Sequence, residues 1–250
     1  MQFDQLKDAR AFFEPRRHLA ITLAVRAALR VFPALWLASL RGCDDFETDY
    51  ILPTVHKLGV SWAAGLYVPI ATTLLAEIDA VEWLDIAVKT GDGQAVCTAK
   101  TALATAAGHP NRMIEDEGLL VPLAAAFTVC RAATAVRMIA AHPAVAFRPF
   151  NKAIWHDVAR LDNHKGHANV LASALWPDEG APPELRVLWH DLKNAFTQSR
   201  NVPAWITWYD DRLNGVTRAR DEAHMTVWLQ AVLRAEEERK RNRPRDDDDA

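Results

Sequence analysis

Nowhere in the chain do β-branched residues alternate with polar ones over the length of a strand. Runs of Ala, Leu, Val and Arg, each stopped by Pro or Gly, fill most of it instead. Such runs have high helix propensity, and a chain without a strand pattern must pack helix on helix. The expectation is an all-α protein, a multi-helix bundle or an irregular array of helical hairpins. Half of the residues are hydrophobic and 24% are charged, so there is apolar material for a core and no signature of disorder.

Residues 17–32 predict a helix that stops at Pro33, with Arg26 and Arg30 four apart on one side and Leu19, Leu23, Ala27 and Val31 on another. Residues 94–107 and 122–141 predict two alanine-rich helices, each with a single Cys and each ended by His-Pro, which hints at a repeated helical hairpin. Phe150, Ile154, Val158 and Leu161 form one stripe, and Leu185, Leu188, Trp189, Leu192 and Phe196 form another. Between them Trp176-Pro177-Asp178-Glu179-Gly180-Ala181-Pro182-Pro183 is the clearest loop. It divides the chain into an alanine-rich helical domain (1–175), a C-terminal helical subdomain packed on it (176–238) and a disordered charged tail (239–250).

Net charge is −3, so no overall field favours nucleic acid, and the basic run after Arg239 is answered by Asp246 to Asp249. Cys43, Cys97 and Cys130 fit neither a metal spacing nor a disulfide framework and read as reduced thiols of a cytoplasmic protein. The N-terminus has no basic stretch followed by an apolar block, so no signal peptide is expected. Residues 58–76 carry no charge and approach the length of a membrane span, but Gly59, Ser61, Gly65 and Pro69 favour a buried hairpin broken near the proline.

Nine tryptophans are the strongest compositional signal. Most sit on apolar stripes and are expected in the core, as with Trp62, Trp155, Trp189 and Trp228. Trp205, Trp208 and Tyr209 fall on one face of a short helix between Pro203 and Gly215, and Trp and Tyr dominate binding hot spots. That face, with Arg212, and the Arg26/Arg30 side are therefore the candidate binding residues, for a protein partner or self-association; nucleic acid and membrane are disfavoured.

Catalytic signatures are sparse: there is no phosphate-cradling glycine loop, no His-Glu-x-x-His and no Gly-x-Ser-x-Gly elbow. His156-Asp157, with His164 and His167 nearby, resembles the His-Asp pair by which all-helical metal phosphohydrolases of the HD type hold a divalent ion. In that alternative His156, Asp157, His164 and His167 would be metal ligands, His109 or His142 the early His and Asp210 or Asp211 the late Asp, and the ion would activate a water. The favoured expectation is a non-catalytic protein with no cofactor and no metal.

Three stretches together resemble a further group. They are Arg26-Ala27-Ala28-Leu29-Arg30-Val31-Phe32-Pro33, then Leu175-Trp176-Pro177 leading into Leu188-Trp189, and Trp205-x-x-Trp208-Tyr209-x-x-Arg212-Leu213-x-Gly215. This is similar to uncharacterised bacterial alanine-rich helical proteins with an Arg-Ala-Ala-Leu-Arg-Val-x-Pro opening and a Trp-x-x-Trp-Tyr-x-x-Arg-Leu-x-Gly ending. The resemblance implies an all-helical bacterial cytoplasmic protein of scaffold type, accessory to defence or mobile-element systems. It implies no activity.

Overall fold

The computed structural model describes residues 3, 5–39, 51, 54–55, 58–59, 62, 120–163, 166–177, 180–196 and 203–216. Among these residues there is helix and turn and no strand, as an all-α fold requires. The helices are α1 (Leu6–Phe13), α2 (Ala20–Val31), α3 (Trp36–Ser39), α4 (Leu120–Ile139), α5 (Pro143–Asp162), α6 (His167–Leu171), α7 (Pro183–Phe196) and α8 (Pro203–Asn214). All belong to one compact unit, Met1–Val216. The expected helix at 94–107, most of residues 58–76, Trp83, Trp228, His109 and the charged tail lie outside the described residues. No helix of the described residues is long and apolar enough to cross a membrane.

The helix expected at 17–32 is two pieces. A 3-10 segment, Glu14–Leu19, is broken at Arg16 (φ −122°, ψ 43°), and α2 starts at Ala20. At the other end Pro33 opens a second 3-10 turn, Phe32–Leu35, because it has no N–H to continue the α ladder. Eleven of the twelve residues of α2 are buried, so it is a core helix with no solvent face. It packs along α4, whose Ala125, Ala126, Ala132, Ala133 and Ala135 are buried and let the two backbones approach closely.

Helix α5 begins seven residues before its stripe does, at Pro143 rather than Phe150, and carries Pro149 inside it. The hydrogen bond that Pro149 removes would have ended on the Val145 carbonyl. Two of the aromatic clusters stand at the ends of this core. Phe3, Phe12, Phe13 and Trp155 meet edge-on or tilted at one end, and Phe32, Trp189 and Tyr209 at the other.

Candidate functional site

The residues that most resemble a functional constellation converge in the interior. Arg26 and Arg30, one turn apart on α2, both reach a single oxygen of Asp157 on α5. Arg26 Nε donates to Oδ2 at 2.7 Å and Arg30 Nη2 donates to the same atom at 2.6 Å. None of the three side chains touches solvent. A carboxylate buried alone would cost several kcal/mol, roughly the penalty of taking an ion out of water, so a lone Asp157 on the apolar stripe of α5 could not stay charged. Burial would raise its carboxyl, but the guanidiniums of Arg26 and Arg30 outweigh burial and hold it below its ordinary value.

Two cations against one anion leave a surplus, which the backbone absorbs. Helix α6 ends at Leu171, and its last carbonyls have no partner within the helix. Arg26 Nη1 donates to the carbonyls of Val170 (2.6 Å) and Ser173 (2.9 Å), and Nη2 to that of Ala174 (2.6 Å). Arg30 Nε donates to the carbonyl of Leu175 at 2.7 Å. The two arginines thus cap a helix C-terminus and fasten the turn that follows it, with the cations at the negative end of the helix dipole. Burial lowers the Arg30 pKa to about 10, with Asp157 opposing and Arg26 assisting the shift, so it stays charged at neutral pH.

The C-terminal motif closes on the same turn. The Arg212 carbonyl accepts from the Leu175 N–H at 3.1 Å, and Arg212 Nη2 donates to the Val216 carbonyl at 2.8 Å. The Arg212 guanidinium also lies over the ring of Trp62, 4.9 Å from its centroid. Tyr209 donates its hydroxyl to the Leu29 carbonyl at 2.8 Å, an acceptor that residue 33, being proline, cannot serve. Gly215 has φ +65°, and a Cβ there would stand 2.4 Å from the Ala174 nitrogen. Only glycine satisfies both the backbone angle and the approach. Trp176 completes the packing, edge-on to Phe150 and 5.7 Å from the Arg30 guanidinium.

The three stretches singled out in the sequence therefore meet at one point, the turn at 172–176. Arg26, Arg30, Tyr209 and Arg212, expected on contact surfaces, are instead 0–1% exposed and bind the protein's own backbone. Arg26, Arg30 and Tyr209 find their acceptors far along the chain, which spacing along one helix does not show. Trp208 is half-buried and meets Trp62 edge-on at 6.0 Å, while nothing is described of the Trp205 side chain. Asp211, a candidate late Asp of the metal-site alternative, is buried.

The metal-site alternative fares differently residue by residue. Asp157 is committed to two guanidiniums. His156 is exposed on the outer side of α5, with Nδ1 4.0 Å from Asp157 Oδ1, and burial lowers its pKa. His167 is half-buried, and its Nδ1 shares a hydrogen bond with Thr22 Oγ1 at 2.8 Å. Burial and the neighbouring His18 keep it neutral longer than usual as pH falls. His164 lies outside the described residues. His142 is exposed at the start of α5, and Asp210 accepts from Trp189 Nε1 and Lys193. Among the described residues no group of three or more His, Cys, Asp or Glu side chains is placed to hold a metal ion.

One cleft accompanies this arrangement, lined by His18, Leu161, Asp162, Gly166 and His167, with a volume of about 350 Å³. No sequence pattern marks it, because its two histidines are far apart in the chain and Thr22, which fixes one of them, lies on the core helix. Compared with models of known families, with curated proteins and with solved structures, the chain matches none.

Proposed function

We propose that the protein is a non-catalytic helical interaction or scaffold protein. The observation that carries this reading is the fate of Asp157. A hydrolytic centre of the His-Asp type needs that carboxylate facing an ion and a water. Here its Oδ2 accepts from both Arg26 and Arg30 in a fully buried site. Displacing those donors would leave two buried cations without their counter-ion and take the arginine donors from the carbonyls of Ser173, Ala174 and Leu175.

The clasp instead supports a rigid helical body, since it joins α2, α5, α6 and α8 through bonds that a ligand does not supply. Of the residues first expected to bind a partner, Trp208 is the one described that is only half-buried.

The test has two halves. Purified protein is assayed for phosphomonoester and phosphodiester hydrolysis with Mg²⁺, Mn²⁺ or Ni²⁺ supplied, and the expected result is no turnover above the metal blank. Tagged protein is recovered from its host with whatever protein accompanies it at fixed stoichiometry, and Trp208→Ala is expected to weaken that association while helicity is retained. Metal-dependent turnover abolished by His156→Ala would overturn the proposal.

A further inference from the structure

We propose that Asn214-Gly215 is a covalent modification site: it deamidates when the end of α8 opens, and the modified chain no longer closes on the turn at 172–176. The site is independent of the scaffold reading. Its chemistry belongs to the dipeptide. The Gly215 backbone nitrogen, having lost its proton to a base in solvent, attacks the side-chain carbonyl carbon of Asn214. The Cγ–Nδ2 bond breaks and ammonia leaves. Water then opens the cyclic imide at one of its two carbonyls. One opening gives aspartate and the other isoaspartate, in which the main chain runs through the former side chain. A side chain on the residue after asparagine would screen the attacking nitrogen, and glycine has none.

The fold itself imposes the susceptible partner. Gly215 has φ +65°, and a Cβ there would stand 2.4 Å from the Ala174 nitrogen, so the screening side chain has no room. Asn214 is exposed, so water reaches the group that reacts.

Folding also holds the pair away from reaction. Asn214 is the last residue of α8. Ring closure needs Cβ and the next nitrogen eclipsed about the Cα–C bond, which a helical ψ does not provide. The Gly215 N–H donates to the Arg212 carbonyl at 3.4 Å and the Val216 N–H to the Asp211 carbonyl at 2.9 Å, the paired bonds of a Schellman end. Nδ2 of Asn214, the leaving amine, donates to the Asp210 carbonyl at 2.7 Å. Reaction therefore requires the last turn of α8 to unwind, a local opening of the native protein.

Neither product fits the closed form. Aspartate puts an anion against the Asp210 carbonyl, at the negative end of the helix dipole. Isoaspartate adds a methylene to the main chain between two fixed points. One is the Arg212 carbonyl on the Leu175 N–H, and the other is Gly215 against Ala174. Opening is reversible and the modification is not, so a transient release of α8 becomes permanent.

The experiment incubates the full chain at mildly alkaline pH, folded or unfolded in guanidinium chloride. Peptide mapping by mass spectrometry follows the aspartyl and isoaspartyl products at position 214. The unfolded chain is expected to deamidate there at least roughly tenfold faster than the folded protein, because the open fraction of the folded protein is small. After refolding, the deamidated protein should melt below untreated protein, while Asn214→Gln carried through the same incubation should melt as it did before. Equal rates in the folded and unfolded chain would overturn the proposal. So would the absence of reaction at position 214 in both, or a deamidated protein with an unshifted melting temperature.

Discussion

Replacing Asp157 by Asn is the sharpest probe of the buried clasp. The side chain keeps its shape, so no cavity forms; the charge is lost, Oδ2 becomes a weaker acceptor, and Oδ1 gives way to an amide nitrogen that donates. In the native protein Oδ2 accepts two charge-assisted bonds, at 2.7 and 2.6 Å, in a site with no solvent. Each such bond contributes about 1.5–3 kcal/mol, of which a neutral amide oxygen retains roughly half. To that loss is added the cost of two buried cations with no counter-ion. Together they place Asp157→Asn at about 3–4 kcal/mol of destabilisation, within the range for breaking a buried pair by removing one partner.

Urea unfolding followed by circular dichroism would read this as a lower midpoint at an unchanged slope. The pH dependence supplies a second check. The Asp157 carboxyl is held below its ordinary value of 3.8, so its contribution is present above that value and is lost as pH falls through the lower folded value. The difference between wild type and Asp157→Asn should therefore be constant from neutral pH down to about pH 4 and shrink only in stronger acid. A midpoint for Asp157→Asn within about 0.5 kcal/mol of wild type at neutral pH would refute the account of how the arginines are held.

Three other outcomes follow from the same geometry. Gly215→Ala should lower the melting temperature well beyond Gly180→Ala, because both have positive φ (+65° and +70°) but only Gly215 would drive a Cβ into the Ala174 backbone; thermal scans should separate about 2–4 kcal/mol from about 1 kcal/mol. Tyr209→Phe should cost about 1–2 kcal/mol in urea unfolding, since it removes a buried donor to the Leu29 carbonyl without changing ring packing. His167 should titrate below 6.5 by proton NMR, and because its folded value is depressed, acidification through that window should lower stability; loss of this slope in His167→Gln would confirm the source.

Much of the helical architecture is written locally. Runs of Ala, Leu and Val with 3.6-residue stripes, ended by Pro33, Pro143 and Gly215, mark where helices stop or start, because backbone sterics act within a few residues. The start of α5 escapes that reading. Pro149 looks like a break, yet α5 runs through it from Pro143 to Asp162.

The sequence by itself determined most of the described helices, and it marked Arg26, Arg30, Tyr209, Arg212 and Gly215 as unusual. The tertiary structure decided what they are for. Spacing of four places two arginines on one face but does not say whether water or a carboxylate lies opposite. Asp157 is 131 residues from Arg26, and the Tyr209 acceptor is 180 residues away. A buried charge is stable only when its counter-charge and its hydrogen-bond acceptors arrive together. That coincidence is a property of packing distant segments, so it turns residues that look like a contact surface into the fastening of the core.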